Sequence, residues 1–297
     1  MIMSKILITG ATGKLGSAVV NELVEKQGPT NVSVLVRDPS KAAALKEKGV
    51  ELVQGDYNDY QSLVKAFQGV DKLYFVSSSE IANRSQHHEN VVKAATEAKV
   101  GHIIYTSFQR KTDDDSSPVA FVAAAHVLAE NLIKESGLKF TLMKHALYAD
   151  ILPMFMGDQV LNSGVIFLPA GDGKASYTSR GDMASAGVAV LTSEGHDNKT
   201  YEISVDTSYS LTDIAAILTD LSGKPVNYAA PDAETFTAAL TQAGVPAQGI
   251  LFPVSFCTAI NQGEFDFPNT TLEKLIGRKP ESIKDFLKKV YVPGLPS

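Results

Sequence analysis

Lys5-Ile-Leu-Ile-Thr9-Gly10-Ala-Thr-Gly13-Lys-Leu-Gly16 decides the fold. The apolar run before Gly10 has the composition of a strand buried on both faces. After the glycines, Leu15, Val19, Val20, Leu23 and Val24 recur at helical spacing. A glycine loop between strand and helix turns unpaired N–H groups and the positive end of the helix dipole outward, which suits a pyrophosphate. Gly10 serves the tight turn, Gly13 the close approach of backbone to ligand, and Gly16 the close packing of helix on strand. Three glycines alone are weak evidence. The strand before them and the amphipathic helix behind them give the motif its weight.

Working outward, short apolar runs predict further strands over 31–36, 51–54, 72–76, 101–106 and 138–143. Helical patterns fall between them over 40–47, from a cap at Asn58 or Asp59, over 86–98, and up to about 136 after a polar loop over 110–117. Strands alternating with helices in this way form a doubly wound parallel α/β sheet of the Rossmann type, here expected over residues 1–148. Beyond Tyr148 the rhythm loosens. Strands are expected over 164–168 and 200–204, and helices over 180–192, 210–222, 233–243 and 271–276. This half reads as a smaller α/β substrate-side lobe over 149–297, interleaved with the first domain and ending in a loose tail over 292–297.

The second strand indicates the cofactor. Where enzymes using NAD place an acid for the ribose 2′-OH, this chain has Leu35-Val36-Arg37. A guanidinium presents a planar fork of donors to a 2′-phosphate, so NADP(H) is expected. Lys14 and Lys41 add charge nearby, whereas Asp38 argues weakly the other way.

Bulk properties narrow the function classes. The chain has 297 residues, a net charge of −6, 44% hydrophobic residues and one cysteine, Cys257. A nucleic-acid surface needs a concentrated basic face, and the scattered Lys and Arg do not supply one. One cysteine allows neither an internal disulfide nor a thiolate metal cage. The start lacks the layout of a signal peptide, and no apolar run reaches the roughly 20 residues of a membrane span. The expectation is a soluble cytoplasmic protein with no resident metal and no direct contact with nucleic acid or membrane. Its oligomeric state is open, a homodimer being one option.

Together with Val36-Arg37-Asp-Pro-Ser-Lys-Ala42, Gly55-Asp56-Tyr57, Ser77-Ser-Ser79, Tyr105-Thr-Ser107, Gly195-His-Asp-Asn-Lys-Thr-Tyr201, Ser222-Gly-Lys224 and Leu272-Glu-Lys-Leu-Ile-Gly277, the glycine loop resembles the NmrA-like group of atypical short-chain dehydrogenases. Within that group the likeness is strongest to quinone and triphenylmethane-dye reductases, and it spans nearly the whole chain. The resemblance implies that Gly10, Ala11, Thr12, Gly13, Lys14 and Leu15 wrap the pyrophosphate, and that Arg37 meets the 2′-phosphate. It puts Asp56 and Tyr57 near the adenine, and Ser77, Ser78 and Ser79 along the ribose and nicotinamide path. It also assigns Lys144 and His145 to the nicotinamide end, although quinone reductases usually have Arg-Asn there.

Ordinary short-chain dehydrogenases protonate the substrate oxygen with a Tyr-x-x-x-Lys pair on one helical face. This chain has His126-Val-Leu-Ala-Glu130 at that spacing. The loss argues against alcohol–ketone interconversion. Hydride transfer to a quinone-like planar acceptor asks for less, because the charge delocalises and positioning supplies much of the catalysis. His126, as a proton relay or as a structural partner of Glu130, and Tyr148 are the candidate catalytic residues. Phe108, Tyr148, Phe155 and Phe256 are candidates for an aromatic acceptor site. His87-His88-Glu89 reads as a solvated helix start, Asp113-Asp-Asp115 as a solvated loop, Cys257 as a small buried hydrophobe and His102 as structural. The leading function is NADPH-dependent reduction of quinone-like acceptors. The alternatives are an NADP(H)-binding redox sensor without turnover and, further off, a nucleotide-sugar epimerase or lyase.

Overall fold

The structure, a computed structural model, describes residues 4–293. The first half alternates β1 (Ile6–Ile8), β2 (Val32–Val36), β3 (Glu51–Gln54), β4 (Lys72–Phe75), β5 (His102–Phe108) and β6 (Lys139–His145) with α1 (Lys14–Gln27), α2 (Ala43–Glu47), α3 (Tyr60–Ala66), α4 (Arg84–Glu97) and α5 (Ala120–Glu135). The second half contains β7 (Leu147–Tyr148), α6 (Ile151–Met156), α7 (Val160–Ser163), β8 (Val165–Phe167), β9 (Lys174–Ala175), β10 (Tyr177–Thr178) and α8 (Arg180–Thr192). It continues with β11 (Lys199–Ile203), β12 (Tyr209–Ser210), α9 (Leu211–Ser222), β13 (Asn227–Ala229), α10 (Ala233–Gln242), α11 (Ala247–Asn261), α12 (Thr271–Ile276) and α13 (Ile283–Tyr291).

Seven strands form one sheet in the order β11-β6-β5-β4-β1-β2-β3, and every neighbouring pair runs parallel. Strands buried on both faces need apolar side chains on both, hence Ile6-Leu-Ile8 and the fully buried run Val32–Val36. One face is covered by α1, α8 and α12 through Val19, Val20, Leu23, Met183 and Leu272. The other is covered by α3, α4 and α5 through Leu63, Val91, Ala95, Ala129 and Ile133. The strand order reverses between β1 and β4, and open α/β sheets bind ligands beyond the carboxyl ends of the strands at such a point.

The second half does not simply follow the first. Its β11 pairs with β6, Ile203 opposite His145, and extends the main sheet. Its α8 lies against α1. The expected strand over 200–204 is therefore an edge of the first sheet, reached by a crossover through α8, and not part of a separate lobe. The remaining elements form a third core around Leu168, Tyr177, Ile214, Leu218, Phe256 and Phe265. Three two-stranded pairs serve it, β7 with β10, β8 with β13 and β9 with β12. The sequence reading did not include α11 or α13. Pro253 lies inside α11 and Pro246 caps it, and a proline inside a helical pattern normally ends it. The expected loose tail over 292–297 lies mostly outside the described residues. Among the described residues no helix is long and apolar enough to cross a membrane.

Candidate active site

The glycine loop closes on itself through Gly13 N–H to the Gly10 carbonyl at 2.9 Å. Gly10 has φ +62°, and a Cβ there would come within 3.0 Å of Val76. A Cβ on Gly16 would come within 2.3 Å of the Gly10 oxygen, so a side chain at that position would push α1 off the loop. The N-cap of α1 is Gly13, with no side chain to take up the first N–H groups. These donors stay available to an anion. The loop borders a cleft of about 600 Å³ through Gly10, Thr12, Gly13, Lys14 and Leu15. Arg37 closes one side, Asp56 and Tyr57 line the floor after β3, and Ser77, Ser78 and Ser79 line the wall after β4. A side pocket bounded by Thr12, Arg37, Asp38 and Lys41 opens beside it. An uncapped helix end, a glycine cradle and two cations at a side pocket fit a dinucleotide that carries an extra phosphate.

Not every predicted contact reaches the cleft. Ala11 is turned into the core, 1% exposed. Lys144 points away and pairs with Glu202 on β11 at 3.3 Å. Asp38 accepts from the Ser40 N–H at 3.0 Å and caps the turn that follows. The Tyr57 hydroxyl bonds Thr9 Oγ1 at 2.5 Å and the Val76 carbonyl at 2.9 Å, so it fastens β1 to β4 and leaves its ring edge for a ligand.

His87 and His88 correct the expectation of a solvated helix start, for they are 2% and 0% exposed. They hold the loop after β4 from below. The Ser78 N–H donates to His88 Nε2 at 3.1 Å. Ser78 Oγ bonds His87 Nδ1, and His87 Nε2 bonds Asn58 Oδ1, both at 2.9 Å. The acidic loop over Asp113, Asp114 and Asp115 is exposed as expected, with Asp113 accepting from Arg110 Nε at 2.6 Å.

His126 and Glu130 both lie on α5 and both are buried, but they do not pair. Glu130 takes the fork of Arg110, at 3.0 and 3.2 Å, together with the Ser107 hydroxyl. His126 Nδ1 instead meets the Tyr105 hydroxyl at 2.7 Å. The hydrogen-bond network fixes the tautomers. His88 Nε2 accepts from a backbone N–H, so His88 carries its proton on Nδ1, which donates to the Ala125 carbonyl at 3.0 Å. Tyr105, 3.3 Å from that protonated nitrogen, cannot donate to it. Its hydroxyl hydrogen goes to His126 Nδ1, and His126 therefore carries its own hydrogen on Nε2. Burial, reinforced by the positive charges of the surrounding residues, holds His126 well below its usual titration range, so the ring is neutral.

His126 lines a second cavity of about 670 Å³ with Phe108, His145, Leu147, Met154 and Phe256. Tyr148 lies at the junction and lines both cavities, as do Lys14, Ser77, Arg84, Arg180 and Phe252. The Arg180 guanidinium stacks 4.4 Å over the Tyr148 ring and pairs with Asp150. Tyr148 bonds His145 Nδ1 at 3.0 Å. Burial pushes the Tyr148 hydroxyl up to about 12 and His145 down to about 3. Both are neutral at physiological pH. Of the aromatic candidates Phe108, Tyr148 and Phe256 reach this cavity, while Phe155 packs behind it against Phe252 and Phe256. Cys257 is buried and its thiol is pushed up to about 12.

Arg84, Arg180 and Phe252 were not anticipated. Arg180 opens a helix far along the chain, and Phe252 sits in the proline-containing α11. Neither has a motif to mark it. Arg84 lies five residues after the serine run, and this proximity was the one available signal.

The NmrA-like family model matches residues 3–284. The chain is 36% identical over 288 residues to quinone oxidoreductase 2 of Escherichia coli, covering 96% of this chain and 98% of that protein. It is 30% identical over 296 residues to the NAD(P)H azoreductase of Xenophilus azovorans, covering 95% and 96%. The structure superposes on Citrobacter sp. triphenylmethane reductase complexed with NADP(H) with a TM-score of 0.88, at 34% identity over 96% of this chain and 99% of that one. With the glycine cradle, the arginine after β2 and these matches over nearly its whole length, the chain belongs to the NmrA-like family.

Proposed function

We propose that the protein is an NADPH-dependent reductase of quinones and similar planar conjugated acceptors. The observation that carries this reading is the direct opening of the dinucleotide cleft into an aromatic cavity, with His126 and Glu130 on α5 at the spacing of the Tyr-x-x-x-Lys pair. NADPH supplies a hydride. The chain's own residues bind, orient and exclude water. The loop from Gly10 to Leu15 and the start of α1 hold the pyrophosphate, and Arg37 with Lys41 takes the 2′-phosphate. Phe108, Tyr148 and Phe256 offer flat apolar surface to a conjugated ring. His126 presents a neutral N–H, and Tyr148, anchored between Arg180 and His145, positions the acceptor. The family relatives support the same chemistry, since a quinone, an azo compound and a triphenylmethane dye are all conjugated hydride acceptors. Within the chain, residues 1–148 with α8, β11 and α12 form the cofactor-binding part, and the rest forms the acceptor-side lobe. We place the enzyme in the cytoplasm.

The test is NADPH oxidation with and without a panel of small quinones. Acceptor-dependent turnover is expected. Tight NADPH binding with no turnover on any acceptor overturns the enzyme reading and leaves the redox-sensor alternative.

A further inference from the structure

We propose that Arg84 and the Nε2–H of His126 form an anion-stabilising site at the junction of the two cavities, selecting acceptors whose reduction leaves negative charge on an oxygen. The inference rests on the reductase reading and names the acceptor class within it.

Arg84 differs from the other cations that line the two main cavities. Lys14 and Arg180 both pair with Asp150, and Arg37 pairs with Glu80. Arg84 has no carboxylate partner among the described residues, and its Nε is buried without any hydrogen-bond acceptor. It lines both the dinucleotide cleft and the acceptor cavity. A guanidinium stays charged in proteins, and a desolvated charge without a partner is costly. Burial pushes its titration down, with only Tyr105 opposing. Burial keeps His88 and His126 neutral, and the Arg84 charge adds to it in the same direction. The missing counter-charge is one that a ligand can bring.

His126 supplies the second half of the site. Its Nδ1 is taken by Tyr105, and its Nε2–H has no partner among the described residues while the ring lines the acceptor cavity. A neutral N–H and an unpaired guanidinium are donors fixed in place before reaction, the arrangement that stabilises developing negative charge in a water-poor site. In quinone reduction the hydrogen leaves the reduced nicotinamide with both electrons of its C–H bond and bonds to one carbonyl oxygen of the quinone. The π electrons move onto the other carbonyl oxygen, which becomes a phenolate, and water then protonates it. The nicotinamide is oxidised by two electrons and the acceptor reduced by two. A cationic triphenylmethane dye is different, for hydride neutralises its carbocation and leaves no anion. Arg84 gives such a dye nothing and repels it.

The experiment compares wild type, Arg84→Met and Arg84→Lys in two assays. In the first, kcat/KM is measured with a neutral quinone and with a cationic triphenylmethane dye. Arg84→Met is expected to lose about 10- to 100-fold on the quinone, mainly in kcat, and to lose nothing on the dye, with partial recovery in Arg84→Lys. In the second, para-nitrophenol is titrated on the NADP⁺-loaded protein and read by the visible absorbance of its phenolate. The bound phenol should ionise about one pH unit lower on wild type than on Arg84→Met. Equal losses on quinone and dye, or no difference in the phenol titration, overturn the anion site while wild-type quinone turnover still upholds the reductase. If no acceptor is turned over the reductase reading fails, and the phenol titration still decides whether the anion site exists.

Discussion

Acid should strongly destabilise this protein before its carboxylates are protonated. Burial holds His88 and His102 down to about 4 and His145 down to about 3, from an ordinary value of 6.5. His126 is also held well below that value. In the unfolded chain all four titrate near the ordinary value. Between the folded and unfolded values the unfolded state binds more protons, so stability is full above about pH 6.5 and falls as pH falls. From about pH 7 to about pH 5 each of the three histidines with a stated value gives up about 2 kcal/mol, or about 6 kcal/mol together. A domain typically has about 5–15 kcal/mol to lose. The assay is urea unfolding of the cofactor-free protein at half-unit pH steps, with unfolding free energy plotted against pH. Near pH 5.5 the slope should correspond to uptake of about three and a half protons on unfolding, nearly one from each of the four histidines. His102→Gln, placed where His102 bonds Thr141 away from the cavities, should lower that slope by about one proton. A free energy flat to within about 1 kcal/mol across this window refutes the reasoning, because it means the imidazoles already carry their protons in the folded state.

Two further outcomes follow from charge placement. Arg37→Ala should weaken NADPH binding about 10- to 100-fold and barely alter NADH binding, as measured by fluorescence titration; equal losses contradict the 2′-phosphate role. Arg110→Met leaves Glu130, 4% exposed, without its counter-ion and should destabilise the protein by about 3–5 kcal/mol in urea unfolding. A loss under about 1 kcal/mol would show that the pair is not desolvated.

The cofactor half was legible because it is local. Strand, loop and helix around Gly10–Gly16 follow one another in sequence, and hydrophobic period marks each of them. The cleft also assembles from segments that each follow a strand of the sheet, so Arg37 and the Asp56, Tyr57 and Ser77 implied by the family resemblance line one cleft. Lys144 shows the limit of that reasoning. Side chains alternate along a strand, and His145 faces the acceptor cavity while Lys144 faces Glu202 on the neighbouring strand. The histidine pair shows the same limit on a helix. His87 and His88 have the polarity of a solvated turn, but α4 packs between α3 and α5 and buries both rings.

By itself the sequence determined a doubly wound sheet, a dinucleotide loop and a preference for the 2′-phosphate, since each is written in neighbouring residues. Tertiary structure alone decided three things. It carried β11 from the second half to the edge of the first sheet. It gave Glu130 to Arg110 and His126 to Tyr105, where the helical spacing of the two residues on α5 had suggested a pair. It also brought Arg84, Arg180 and Phe252 from three separate helices to the mouth between the two cavities. Periodicity reports which face of an element is buried, but not which distant element buries it. Pairings of charge, and so the chemistry at this junction, depend on that second fact.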